Sequence, residues 1–153
     1  MRACPHIGGT SAITAAVDDA QQLEEVNARF YDAFAKQDLA AMDAVWAREI
    51  AVACIHPGWP ALEDRGDVMA SWRAILGDLP GGDAPEVACA EPRVTVVGDM
   101  GFVICKELVG PHELLATNVF VREGGQWRIV HHHAAPVYAD EAPLEDAPSG
   151  TLN

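Results

Sequence analysis

Residues 98–137 read GDMGFVICKELVGPHELLATNVFVREGGQWRIVHHHAAPV. Three dipeptides divide the stretch: Gly98-Asp99, Gly110-Pro111 and Gly124-Gly125. All three are turn chemistry, and the runs between them are rich in Val, Ile, Phe and Trp, which suit a pleated surface. Joints this short favour antiparallel hairpins over crossover connections. With the apolar run before Gly98, the pattern predicts a meander of four long strands: Glu86 to Val97, Gly101 to Val109, His112 to Glu123, and Gln126 to Val137.

The chain upstream has a different period. Over residues 18–36, Leu23, Val26, Phe30, Ala33 and Phe34 recur at helical spacing, and Asp18 and Asp19 suit the positive end of a helix. Asp38 is placed to cap a second helix bearing Leu39, Met42 and Trp46. Ile50 to Ile55 is an apolar strand-like run closed by His56-Pro57-Gly58. A third helix is predicted from Asp67 to Leu76, with Val68, Trp72, Ile75 and Leu76 on one side and Pro80-Gly81-Gly82 as its breaker. The class is therefore α+β: three N-terminal helices packed on a curved, mainly antiparallel β-sheet.

A length of 153 residues, half of them hydrophobic, suits one domain with one core. We place that domain at residues 18–138, between a flexible N-terminal segment (1–17) and an acidic tail (139–153). Ten basic against 23 acidic residues give a formal net charge of −13. That balance argues against nucleic acid, whose phosphates need a basic face, and against anionic lipid. No apolar run reaches the roughly 20 residues that span a bilayer. Cys4, Cys54, Cys89 and Cys105 form no C-x-x-C pair and sit mostly in apolar runs, as expected of core thiols in a reducing cytoplasm. The first sixteen residues lack a continuous apolar h-region and are interrupted by Gly8-Gly9, so a signal peptide is not expected.

The order of elements, together with three motifs, resembles the SnoaL-like domains of the nuclear transport factor 2-like superfamily. The motifs are Phe30-Tyr31-Asp32-Ala33-Phe34 with Gln37-Asp38-Leu39; Cys54-Ile55-His56-Pro57-Gly58-Trp59 with Ser71-Trp72; and Ala116-Thr117-Asn118-Val119-Phe120 with Gly124 to His133. The last segment is also similar to the association domain of calcium/calmodulin-dependent kinases. The resemblance implies a cone, with helices closing over the concave face of the sheet and a pocket at the open end. It also implies a homodimer packed through the sheet. The fold does not fix the chemistry, since the same cone hosts isomerases, cyclases, dehydratases, hydrolases and interaction modules.

Aligned on ketosteroid isomerase, the catalytic tyrosine position falls on Phe30, the base on Cys54 and the oxyanion acid on Asn118. None of these matches, so steroid isomerisation by the usual residues is disfavoured. The alignment does orient the strands. With Cys54 and Asn118 facing the pocket, a period of two turns Val52, Ala116 and Phe120 inward. In the last strand it turns Ile129, His131 and His133 inward, and Val130 and His132 outward. By the kinase comparison Glu107 faces the pocket where an arginine stands in that family.

These residues give the expected site. His131 or His133 would act as acid–base catalyst with Glu107 orienting it, because such chemistry needs an imidazole near neutrality and a carboxylate to fix its tautomer. Asn118, Cys54, His56, Trp59, Phe30, Phe120 and Trp72 would line the pocket, with Trp59 as an aromatic lid. Other readings of the same residues stay open. They include a hydrogen-bonded polar layer that only shapes the pocket, and a metal set of His56, His131, His133 and Glu107. No H-E-x-x-H motif supports that set, and neither a metal nor a cofactor is expected. The predicted function is binding of a small apolar or planar molecule. The alternatives are an isomerase, dehydratase or hydrolase, and a dimeric interaction module. Neither nucleic acid nor membrane is an expected partner.

Overall fold

The computed structural model describes residues 9–77 and 86–137, with side chains from Asp18 onward. The element order is α1 (Gly9–Ala35), α2 (Leu39–Val45), β1 (Ala53–Ile55), α3 (Arg65–Gly77), β2 (Val87–Val97), β3 (Met100–Val109), β4 (His112–Glu123) and β5 (Gln126–Pro136). The fold class is the one predicted: three helices on a five-stranded, mainly antiparallel sheet of order β1-β5-β4-β3-β2. The first helix begins at Gly9, nine residues before the predicted start, so it runs into the segment expected to be flexible. Cys4, His6, the Pro80-Gly81-Gly82 breaker and the tail at 139–153 lie outside the described residues. No described helix is long and apolar enough to cross a membrane.

Helix α1 carries the largest share of the core. Leu23, Val26, Phe30 and Ala33 are buried, and the polar Asn27 and Tyr31 are buried on the same face. The helix stops where Gln37 takes a left-handed φ of 54°, a conformation that breaks the helical hydrogen-bond ladder. Asp38 then caps α2, its carboxylate accepting from Ala41 N at 2.9 Å. On the underside of α1, Trp46, Trp72, Phe120 and Ile129 complete the core.

Two irregularities curve the sheet. Between β2 and β3 the pairing jumps from Ala90–Lys106 to Arg93–Ile104, with Glu91 at a φ of 52°. Between β4 and β5 it jumps from Val119–His131 to Phe120–Ile129, leaving Val130 as an extra residue. A bulge of this kind bends the strand and inverts which side chains face inward beyond it. β1 joins the far edge in parallel, pairing Cys54 with His132.

Candidate functional site

The Val130 bulge decides which histidine enters the cone. Counting by twos from Ile129 turns His131 and His133 inward, but the extra residue moves the inward phase to His132. His132 is buried, whereas His131 is half-buried and His133 exposed on the opposite face. The prediction that His131 and His133 face the pocket and His132 faces away is therefore corrected. The physical reason is the inserted residue in β5. The metal set of His56, His131, His133 and Glu107 is not brought together for the same reason. Among the described residues no three His, Cys, Asp or Glu side chains converge on a point.

His132 sits in a continuous buried network. Tyr31 from α1 donates its hydroxyl hydrogen to Glu107 Oε2 at 3.1 Å. With that hydrogen committed, the Tyr31 oxygen accepts from Asn118 Nδ2 at 3.4 Å. The Asn118 amide also donates to Asn27 Oδ1 at 2.8 Å, so Asn118 Oδ1 points to His132. There it accepts from Nδ1 at 2.6 Å. This chain of donors fixes the tautomer: the Nδ1 of His132 is protonated and its Nε2 carries a lone pair. That Nε2 lies 3.7 Å from Glu107 Oε2.

His56 follows the same logic. Ser71 spends its hydroxyl hydrogen on the Val68 carbonyl at 2.7 Å. Its oxygen can then only accept at 2.8 Å from His56 Nε2, which leaves His56 Nδ1 unprotonated. The two imidazole rings are 6.3 Å apart between centroids, and Trp72 stacks edge-on to His56 at 4.9 Å.

Burial sets the charges. It pushes the Glu107 carboxyl up to about 7, against a smaller lowering by the Tyr31 hydrogen bond. It pushes His132 down to about 3, helped by the neighbouring histidines, and His56 down to about 4. Burial also raises the Cys54 thiol to about 12, with the Glu107 charge adding to it, so Cys54 is not a thiolate base. Glu107 is the one buried acid among the described residues, at 2% exposure.

Above this network opens a cavity of about 360 Å³. Its floor is His132, Glu107 and His56, and its walls include Phe34, Trp72, Ile75 and Leu114. Pro57, Trp59 and His112 stand at the exposed mouth. The structure thus brings Glu107, His56, Trp59 and Trp72 to one cavity. Asn118 lies behind the floor as the partner of His132. Cys54, Phe30 and Phe120 are wholly buried in the core and do not line the cavity.

Sequence reasoning missed His132, Tyr31, Asn27 and Phe34 as contributors. Asn27 and Tyr31 were within reach: they stand four apart on the helix face that carries Leu23 and Phe30. His132 was not, because nothing in a run of three histidines marks a bulge two residues earlier.

Known proteins bear on this arrangement. A sequence profile of the SnoaL-like domain matches residues 23–139. The Arabidopsis thaliana F-box protein SKIP8 is 29% identical over 120 residues, which is 76% of this chain, and the chain spans only 50% of that protein. Among solved structures, a candidate dehydratase of the NTF2-like family from Streptomyces avermitilis is 29% identical with a TM-score of 0.72. That match covers 81% of this chain and 99% of the other. A candidate calcium/calmodulin-dependent protein kinase type II association domain from Thiobacillus denitrificans is 36% identical with a TM-score of 0.63, covering 74% and 94%. An NTF2-like protein with a cystatin-like fold from Novosphingobium aromaticivorans, 19% identical with a TM-score of 0.66 over 85% and 89%, shares the fold.

Proposed function

Since the chain belongs to the SnoaL-like domain family, we propose that it binds a small, largely apolar molecule in the cavity above His132 and Glu107. One observation carries this reading. A pocket walled by Phe34, Trp72, Ile75 and Leu114 ends on a buried polar floor whose Nε2 and Oε1 atoms accept from no described residue. An apolar cavity with a few convergent polar groups is the usual form of a small-molecule site. Titration with naphthalene tests the proposal. Binding should quench tryptophan fluorescence in the unmodified protein and be lost when Leu114→Trp fills the cavity. If neither protein binds, or both bind alike, the proposal fails.

A second reading is catalytic, and the Glu107–His132 pair favours it. A carboxyl held near neutral and an uncharged imidazole 3.7 Å away offer an acid and a base at one point. Isomerase, dehydratase or hydrolase chemistry would then run on Glu107 and His132, in place of His131 or His133. The solved structure named as a candidate dehydratase supports the same class. Accelerated deuterium exchange beside the carbonyl of a bound naphthyl ketone, lost in Glu107→Gln, is the expected signature. Exchange no faster than in buffer removes this reading.

The proposal includes a homodimer across the open face of the sheet, where Val119, Val121 and Val130 lie only partly covered beside His131. Light scattering that returns a monomer would count against it.

A further inference from the structure

The geometry points to a specific class of ligand for this cavity: an organic ammonium, an aromatic or aliphatic amine whose cationic head rests on the Glu107–His132–His56 floor. The inference rests on the binding function proposed above and goes further, because it fixes the charge and the hydrogen-bond polarity of the ligand.

The first support is the polarity of the floor. His132 Nδ1–H is committed to Asn118, so its Nε2 can only accept. His56 Nε2–H is committed to Ser71, so its Nδ1 can only accept, with the Cys54 thiol as a weak donor at 4.0 Å. Tyr31 O–H is committed to Glu107 Oε2, and Glu107 Oε1 has no donor among the described residues. With Glu107 ionised, the floor therefore offers acceptors and no free side-chain donor; the unpartnered Trp72 Nε1–H belongs to the wall and is itself buried. A carboxylate, phosphate or carbonyl would meet lone pairs. An ammonium carries three N–H donors and no acceptor, which is the complement.

Charge is the second support. Glu107 is 98% buried, yet no Lys or Arg lines the cavity. The adjacent Lys106 points to the other face, where it pairs with Glu91 at 2.9 Å and with Glu113 at 3.7 Å. The groups that face or surround Glu107 are Tyr31 from α1, Cys54 from β1, His56, Cys89 from β2, Cys105 from β3, and Asn118 and His132 from β4 and β5, with His112 at the mouth. None of those around the floor is held as a cation: burial keeps His132 and His56 neutral well below neutral pH. A buried carboxylate without a cation is costly, and a cationic ligand supplies the missing partner.

The third support is the wall. Phe34, Trp59 and Trp72 surround the space above the floor. Aromatic faces attract a desolvated ammonium and hold the apolar remainder of the molecule.

Three matched probes separate the outcomes: naphthylmethylamine, naphthylmethanol and naphthoate, titrated against the full chain by calorimetry near pH 8. The amine should bind about ten-fold or more tightly than the alcohol, and the naphthoate should be weakest. In Glu107→Gln the amine's advantage should vanish while the alcohol still binds. The amine's affinity for the unmodified protein should also fall as pH is lowered to about 5, because Glu107 must ionise to hold it, while the alcohol's affinity stays level. If the alcohol or the carboxylate binds as tightly as the amine, or if the amine's affinity does not respond to pH, the cationic class is overturned and the binding function stands. If no probe binds, both fall.

Discussion

His132 on β5 donates its Nδ1 hydrogen to Asn118 Oδ1 on the neighbouring strand at 2.6 Å, and this single bond orients the cavity floor. Its direction is set two residues away, by Tyr31 spending its hydroxyl hydrogen on Glu107. The floor is thus a cooperative unit, in which altering one member leaves several buried atoms without partners.

Asn118→Leu should expose that coupling. It leaves Asn27 Oδ1 and His132 Nδ1 without partners in the core. We expect a loss of about 2–4 kcal/mol in urea unfolding. A loss under about 0.5 kcal/mol would mean that the network does not bear on stability.

Stability against pH should report Glu107. Its folded carboxyl is raised from 4.5 to about 7. The folded state therefore holds the proton more tightly, and the stabilisation is complete below the unfolded value and lost as pH rises through about 7. Glu107→Gln keeps the neutral shape. It should be close to neutral at about pH 4 and more stable than the natural chain at about pH 8, by at most about 3 kcal/mol. Unfolding midpoints at the two pH values check this, and equal differences at both would contradict it.

The histidines should act in the opposite direction. The folded pKa values of His132 and His56 are depressed, so their contribution is present above the ordinary histidine value and lost as pH falls toward about 3 to 4. His132→Gln should flatten the acid limb of the stability curve. An unchanged acid limb would show that His132 titrates normally.

His131 and His133 provide the control for the inverted strand phase. Both lie on the outer face of the sheet. His131→Ala and His133→Ala should leave naphthalene binding within about two-fold, since they touch no cavity atom, while His132→Ala should weaken it by about ten-fold or more. The reverse pattern in a fluorescence titration would restore the simple period-of-two reading.

Gly101 on β3 sits close against Thr95 of β2 and Leu23 of α1. An added Cβ would lie 2.8 Å from the Thr95 carbonyl oxygen and 3.1 Å from a Leu23 methyl. The backbone contact cannot yield, so Gly101→Ala should cost about 1–3 kcal/mol. Thermal unfolding at the same midpoint as the natural chain would refute the close approach.

What could be read from the chain alone was whatever depends on local pattern. The turns at Gly98-Asp99, Gly110-Pro111 and Gly124-Gly125, the spacing of Leu23, Val26 and Phe30, and the Asp38 cap lie within a few residues of what they specify. They determined the helices, the hairpins and the α+β class, and with the quoted motifs the family. The family resemblance, not the local pattern, pointed to Glu107 and Asn118, and it placed His56 just past the first strand. The phase of β5 was a different matter. Val130 becomes a bulge only because Phe120 and Ile129 pair on one side of it and Val119 and His131 on the other. That is a relation between strands, and it has no signature within either one. The same holds for the proton order from Tyr31 through Asn118 to His132, whose longest link joins residues 87 positions apart. A hydrogen bond has a direction only when both ends are in place, and that direction, fixed by the packed core, makes the cavity floor a set of acceptors.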